Sequence, residues 1–133
     1  YLELNKFVRN HFYIVLGYCL ITVVILILFL KPLIGYVFPE HLPFVNLVYF
    51  GIPGLVFRTL SDPIAVFLNS VVKLKPILWS DIISIVFYLS LILLMVGNEW
   101  FSLTNVIIVF NLYFIFKFIY LLIYYLKLKK IYL

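Results

Sequence analysis

Charge is scarce in this sequence. Only 11% of its 133 residues are Asp, Glu, Lys or Arg, where a soluble domain carries about 25%. Cysteine is scarcer still: Cys19 is alone, inside an apolar run, which excludes an internal disulfide. There is no Cys/His cluster, no glycine-rich phosphate loop followed by lysine, and no Ser/His/Asp constellation in a soluble domain. His11 and His41 fall on opposite sides of the membrane in a four-span arrangement, so they cannot share a metal. These absences argue against a self-contained enzyme and against a cofactor or metal bound by this chain. Lys and Arg number 10 against 5 Asp and Glu. The basic residues sit at the ends of apolar segments and form no single patch, which argues against nucleic acid as a partner.

What the chain has instead is apolar surface, 67% hydrophobic and 20% aromatic. No soluble fold of this size has enough interior to hide that much. The reading is an all-α integral membrane protein, a single membrane domain with lipid as solvent for much of its surface.

In chain order, Tyr1–Asn10 is an interfacial lead-in, and Asn10 can cap the first membrane helix. The first residue is Tyr1 and the one methionine is Met95, so the chain is expected to be processed or part of a longer product. It shows no cleavable-signal pattern, and the first apolar run reads as a retained helix. Phe12–Leu30 is the first span, stopped by Lys31-Pro32. Leu33–Pro43 is a connection. Phe44–Leu60 is a second span, interrupted by Gly51, Pro53 and Gly54. Asp62-Pro63 reads as a helix start. Ile64, Phe67, Leu68, Val71 and Val72 then share one face, which predicts an in-plane amphipathic helix over 63–75. Ile77–Val96 is the third span, ended by Gly97-Asn98. Val106–Leu126 is the fourth, with Thr104 or Asn105 as its cap. It would reach roughly 31 Å, about the thickness of a bilayer core.

Charge settles whether Phe44–Leu60 crosses. If it does, Lys6, Arg9, Arg58, Lys73, Lys75, Lys127, Lys129 and Lys130 share one side, and Lys31 is alone among basic residues on the other. If it turns back, the basic residues divide between both sides. The positive-inside rule favours four spans, with both termini on the positive side, matrix or cytoplasm.

Four features are candidates for chemistry. Lys117 lies near the middle of the last span, where a charge is expensive. Tyr113, Lys117, Tyr120 and Tyr124 have helical spacing and form one polar face. That face fits a polar contact with an acidic residue of a partner subunit, ahead of a proton or ion path; the plain alternative is a lysine snorkelling along its own helix. Tyr49, Gly51, Pro53 and Gly54 are a candidate helix break, read as a kink with close helix packing ahead of a transporter-type opening. Asp81 stands near the start of the third span, where the helix dipole favours a carboxylate. Arg58, Lys73 and Lys75 are candidate interfacial lipid contacts, with an anionic lipid such as cardiolipin as the partner.

The bias to Phe, Tyr, Leu and Ile, the few Ala and Gly, and the nearly loop-free design resemble mitochondrially encoded inner-membrane proteins of divergent, AT-rich protist genomes. Such genomes mostly retain membrane subunits of respiratory complexes and ATP synthase. Val48-Tyr49-Phe50-Gly51, followed by Leu55-Val56-Phe57, resembles the third helix of the sixth NADH-dehydrogenase membrane subunit of complex I. The resemblance implies a π-bulge at Tyr49 and Gly51. The sequence departs from that family at Pro53 and Arg58, and in having four spans where the family usually has five. The expected function is a non-catalytic membrane subunit of a respiratory-chain complex in the mitochondrial inner membrane. It would support the structure or the proton module of complex I first, or belong to ATP synthase or complex IV. Its partners would be other membrane subunits of a large hetero-oligomer, and lipid. A small transporter or channel-like protein is the alternative of a different class.

Overall fold

The computed structural model describes residues 2–71, 74–98 and 100–132. They form α1 (Leu2–Val37), a 3-10 turn (Pro39–Phe44), α2 (Val45–Ser70), α3 (Leu74–Gly97) and α4 (Leu103–Tyr132). Four helices are long and apolar enough to cross a membrane.

Side-chain pairs set the helices' relative levels. Asn5 pairs with Tyr125 and Phe12 stacks near Phe118, so α1 and α4 are antiparallel. Gly54 meets Asn111, and Phe67 meets Tyr125, so α2 and α4 run parallel. Tyr88 meets Tyr113 and Phe87 meets Phe116, so α3 returns against α4. The result is an up-down-up-down arrangement. Its basal end holds residues 2–11, the α2–α3 turn and the end of α4. Its distal end holds the 3-10 turn and the α3–α4 turn. In space α2 and α4 are the central pair, with α1 against α2 and α3 against α4.

Two expected breaks are absent. Lys31-Pro32 does not stop α1, which continues to Val37. Proline removes one rung and kinks a helix without having to end it. The true end comes at Pro39, which pushes Phe38 out of helical geometry (φ −139°, ψ 67°). Nor does Asp62-Pro63 start a new helix. Pro63 lies inside α2, so the in-plane helix expected over 63–75 is the last part of α2, with Val72 and Lys73 outside the described residues. The reason is packing. Ile64, Phe67 and Leu68 are buried with Val8, Phe118, Leu121 and Leu128 in the core cluster. Burying each is worth ~1.5–3 kcal/mol, together more than the ~3 kcal/mol cost of an interior proline. The amphipathic pattern was real, but its apolar face meets protein. Residues 2–10 are likewise helical, so Asn10 caps nothing.

α3 ends at Gly97 as expected. The cap of α4 is Ser102, whose hydroxyl accepts from the Asn105 N–H at 3.2 Å; Thr104 and Asn105 lie within the helix. Pro76, Ser80 and Ser84 form a small-residue line on α3, and all are buried. Small side chains let helix backbones approach closely. The Ser80 hydroxyl bonds the Ile77 carbonyl at 2.7 Å, whereas the buried Ser84 hydroxyl has no partner among the described residues. A buried polar group left unpaired costs ~1–3 kcal/mol. Ser84→Ala is therefore expected to raise the thermal midpoint of the detergent-solubilised protein, and Ser84→Leu to lower it by wedging α3 from α4.

Candidate functional site

α4 carries two strongly polar residues in its apolar stretch, Asn111 and Lys117, and each reaches a different neighbour. The Asn111 amide nitrogen donates to the Phe50 carbonyl at 2.5 Å, and its oxygen accepts from the Gly54 N–H at 2.8 Å. Phe50 and Gly54 are the two ends of one i→i−4 rung, so one amide from α4 bridges both sides of a turn of α2. Pro53 sits inside that turn and lacks an N–H of its own. Gly54 permits the approach, because a Cβ there would lie 3.2 Å from the Asn111 Cα. Gly51 is less constrained, since a Cβ there would meet Ile107 at an ordinary 3.9 Å. α2 runs as regular α-helix through Tyr49, Gly51, Pro53 and Gly54. The helix break and the implied π-bulge are thus absent, and close packing is what the glycine and proline accommodate. The Tyr49 hydroxyl reaches the Ile27 carbonyl of α1 at 3.4 Å.

Lys117 pairs with Asp81 of α3, Nζ to Oδ1 at 2.5 Å. The side chains are 23% and 37% exposed, so the pair is shielded without being sealed. The acid expected from a partner subunit is present in the same chain. Tyr113 meets Tyr88 edge to face, and Tyr124 packs against the basal core. Tyr120 is half-buried. Tyr113 and Lys117, the part of the polar face whose partners are resolved, therefore look toward α3. Asp81 could have been found from sequence. A short turn near residue 100 makes residues equidistant from it level, which brings Asp81 to within one turn of Lys117.

Beside the ion pair is a cavity of ≈ 220 Å³ lined by Arg58, Ser61, Asp62, Phe114, Lys117 and Leu121, among others. The Arg58 guanidinium stands 5.9 Å from the Phe114 ring centre, over its face. Two cations and two carboxylates balance around this space. Its walls mix these charged groups with Ala65, Ile77, Phe114 and Leu121, and it has room for several waters. Close by, Phe118 packs on Phe57 and Phe12, and Phe116 stacks on Phe87. The arrangement can hold helices in register and hydrate a charge cluster.

Arg58, a candidate interfacial lipid contact, stands well inside α2, which continues to Ser70, and lines the cavity beside Lys117. Lys75 is exposed at the start of α3, and Lys73 lies outside the described residues. No group of three or more His, Cys, Asp or Glu side chains among the described residues could hold a metal. Comparison with protein-family models, curated protein sequences and solved structures finds no match to this chain.

Proposed function

We propose that this chain is a non-catalytic structural subunit of a membrane complex of the respiratory type, with complex I the first assembly to test. The observation that carries the reading is where the polar groups of α4 go. Asn111 and Lys117 are both taken up inside the chain, tying α4 to α2 and to α3. The outer face of α1, with Ile14, Tyr18, Ile21, Ile25 and Leu28, is left exposed and apolar. A side-by-side layer of helices with apolar flanks fits between larger membrane subunits or against lipid. The composition, and the Val48–Gly51 and Leu55–Phe57 stretches, support the respiratory assignment by resemblance.

The helix levels support a membrane register different from the one apolar runs suggest by themselves. Phe12–Leu30 of α1 is free of charge, bounded by Arg9 and Lys31, and spans roughly 28 Å, close to a hydrocarbon core. Phe12 is level with Phe118. The charge-free parts of the other helices lie beside it: Val45–Phe57, Ile82–Gly97 and Leu103–Phe116. Arg58, Asp62, Asp81 and Lys117 then gather at the basal edge of the hydrocarbon, where a charge is far less costly than at the centre. A slab reaching Leu126 would take in the levels of Lys6 and Arg9. The basal end is the positive side, with Lys6, Arg9, Lys75, Lys127, Lys129 and Lys130.

The test is assembly. On a native gel the chain is expected to co-migrate with a large complex whose other subunits mass spectrometry identifies. A purified chain that stands alone as a symmetric homo-oligomer and transports an ion would replace this reading with the transporter, for which the Arg58–Lys117 cavity would be the path.

A further inference from the structure

A second groove, largely apolar with a basic rim, opens at the basal end, on the other side of the core. It lies between α1 and α4, holds ≈ 160 Å³, and is floored by Ile64 of α2. Its apolar wall is Val8, Phe12 and Leu122, and its rim carries Arg9 and Lys129. The Tyr125 hydroxyl donates to the Asn5 side-chain oxygen across it. No carboxylate lines this groove among the described residues. The nearest acid along α1 is Glu3, nearly two turns before Arg9 on an exposed position. Neither Arg9 nor Lys129 forms an ion pair among the described residues. This distinguishes the groove from the Arg58–Lys117 cavity, where carboxylates already answer the cations.

Depth selects the ligand. Phe12 is level with Phe118 at the hydrocarbon edge, and Arg9 lies about one helical turn beyond it, ~4.5 Å, within the headgroup layer. We propose that this groove binds the headgroup of an anionic phospholipid. The phosphodiester would sit between Arg9 and Lys129, with the Tyr125 hydroxyl beside it, and an acyl chain would rise past Phe12 and Leu122. Arg9 supplies a planar fork of donors suited to phosphate oxygens, and Lys129 a mobile point charge at the rim. Tyr125 is held toward the groove by Asn5. The inference rests on the membrane reading proposed for this chain and names a lipid class for it.

The experiment uses the full chain in detergent, with native mass spectrometry reading bound lipid. Phosphatidylglycerol is titrated against phosphatidylcholine, and inorganic phosphate is added in a third arm. Preferential retention of phosphatidylglycerol is expected. Arg9→Gln with Lys129→Gln should reduce that preference ~30-fold or more, as expected for losing two charge-assisted contacts to one phosphate. A control pair, Lys6→Gln with Lys127→Gln, removes the same charge outside the groove and should leave it nearly unchanged. Equal loss in both pairs would mean that diffuse surface charge is responsible and would overturn the site. So would absence of a phosphatidylglycerol preference, or displacement of the lipid by millimolar phosphate. Circular dichroism of each variant checks that the helices are intact, and Arg9→Lys, which keeps the charge, should retain most of the preference should Arg9→Gln unfold. Incorporation into phosphatidylcholine vesicles is measured alongside. Failure to incorporate sinks the membrane reading itself, whereas incorporation without lipid preference sinks only the site.

Discussion

Gly54→Ala is expected to push α2 and α4 apart and to cost about 3 kcal/mol, combining overpacking with the loss of paired backbone groups. The added methyl would stand 3.2 Å from the Asn111 Cα and directly against the Asn111 amide. Backbone cannot yield as a flexible side-chain tip can. The amide would have to leave, and with it both bonds to Phe50 and Gly54. Asn111→Leu removes the same bridge from the other side, at ~1–2 kcal/mol, the range for interhelical hydrogen bonds in membranes. Because the two changes break one contact, the double variant should cost clearly less than their sum. Gly51→Ala is the control. Its methyl has an ordinary 3.9 Å neighbour, and alanine favours helix over glycine by up to ~1 kcal/mol, so it should be neutral or stabilising. Denaturant unfolding of the solubilised protein, followed by circular dichroism, reads all four. If Gly51→Ala and Gly54→Ala behave alike, the amide bridge is not what joins these helices.

The second large effect is on the Lys117–Asp81 pair. Removing one partner of a fully buried pair costs ~3–5 kcal/mol, because the other charge is stranded. Here both side chains keep some exposure, 23% and 37%, which reduces the expected cost to about 2 kcal/mol. Asp81→Leu and Lys117→Leu should each destabilise by about that much. The double variant should recover most of the loss, since no charge is left alone. Assembly supplies a further readout. If Lys117→Leu folds but no longer co-migrates with the complex proposed for this chain, Lys117 has an external partner as well. If that proposed complex proves to pump protons, and the variant assembles normally while pumping is lost, the Arg58–Asp62–Lys117 cavity carries protons and the structural reading fails.

The residues differ in how far their roles could be read in advance. The helix end at Gly97 was legible because a C-terminal glycine acts within a turn of itself. The small line Pro76–Ser80–Ser84 was legible in principle by its spacing, but its burial depended on what α4 brings to it. Asp62-Pro63 misled because a local start signal competes with three buried side chains whose partners lie on α1 and α4. Asn111 stood out as polar, but nothing near it in sequence points to Phe50 and Gly54, a span away. Lys117 stood out as expensive, and the acid that answers it, Asp81, stands on the neighbouring helix.

The sequence by itself determined the all-helical design, its four long apolar segments, and the scarcity and uneven placement of charge. These stem from composition, period and the order of breakers along one chain. Only the tertiary structure decided which polar groups meet and at what height each helix stands beside its neighbours. An apolar run states how long a helix can remain out of water, but it does not state its level. That level comes from contacts between helices, here Phe12 on Phe118 and Tyr88 on Tyr113. They turn an isolated lysine in the middle of one segment into a member of a balanced charge cluster, paired with an acid of its own chain.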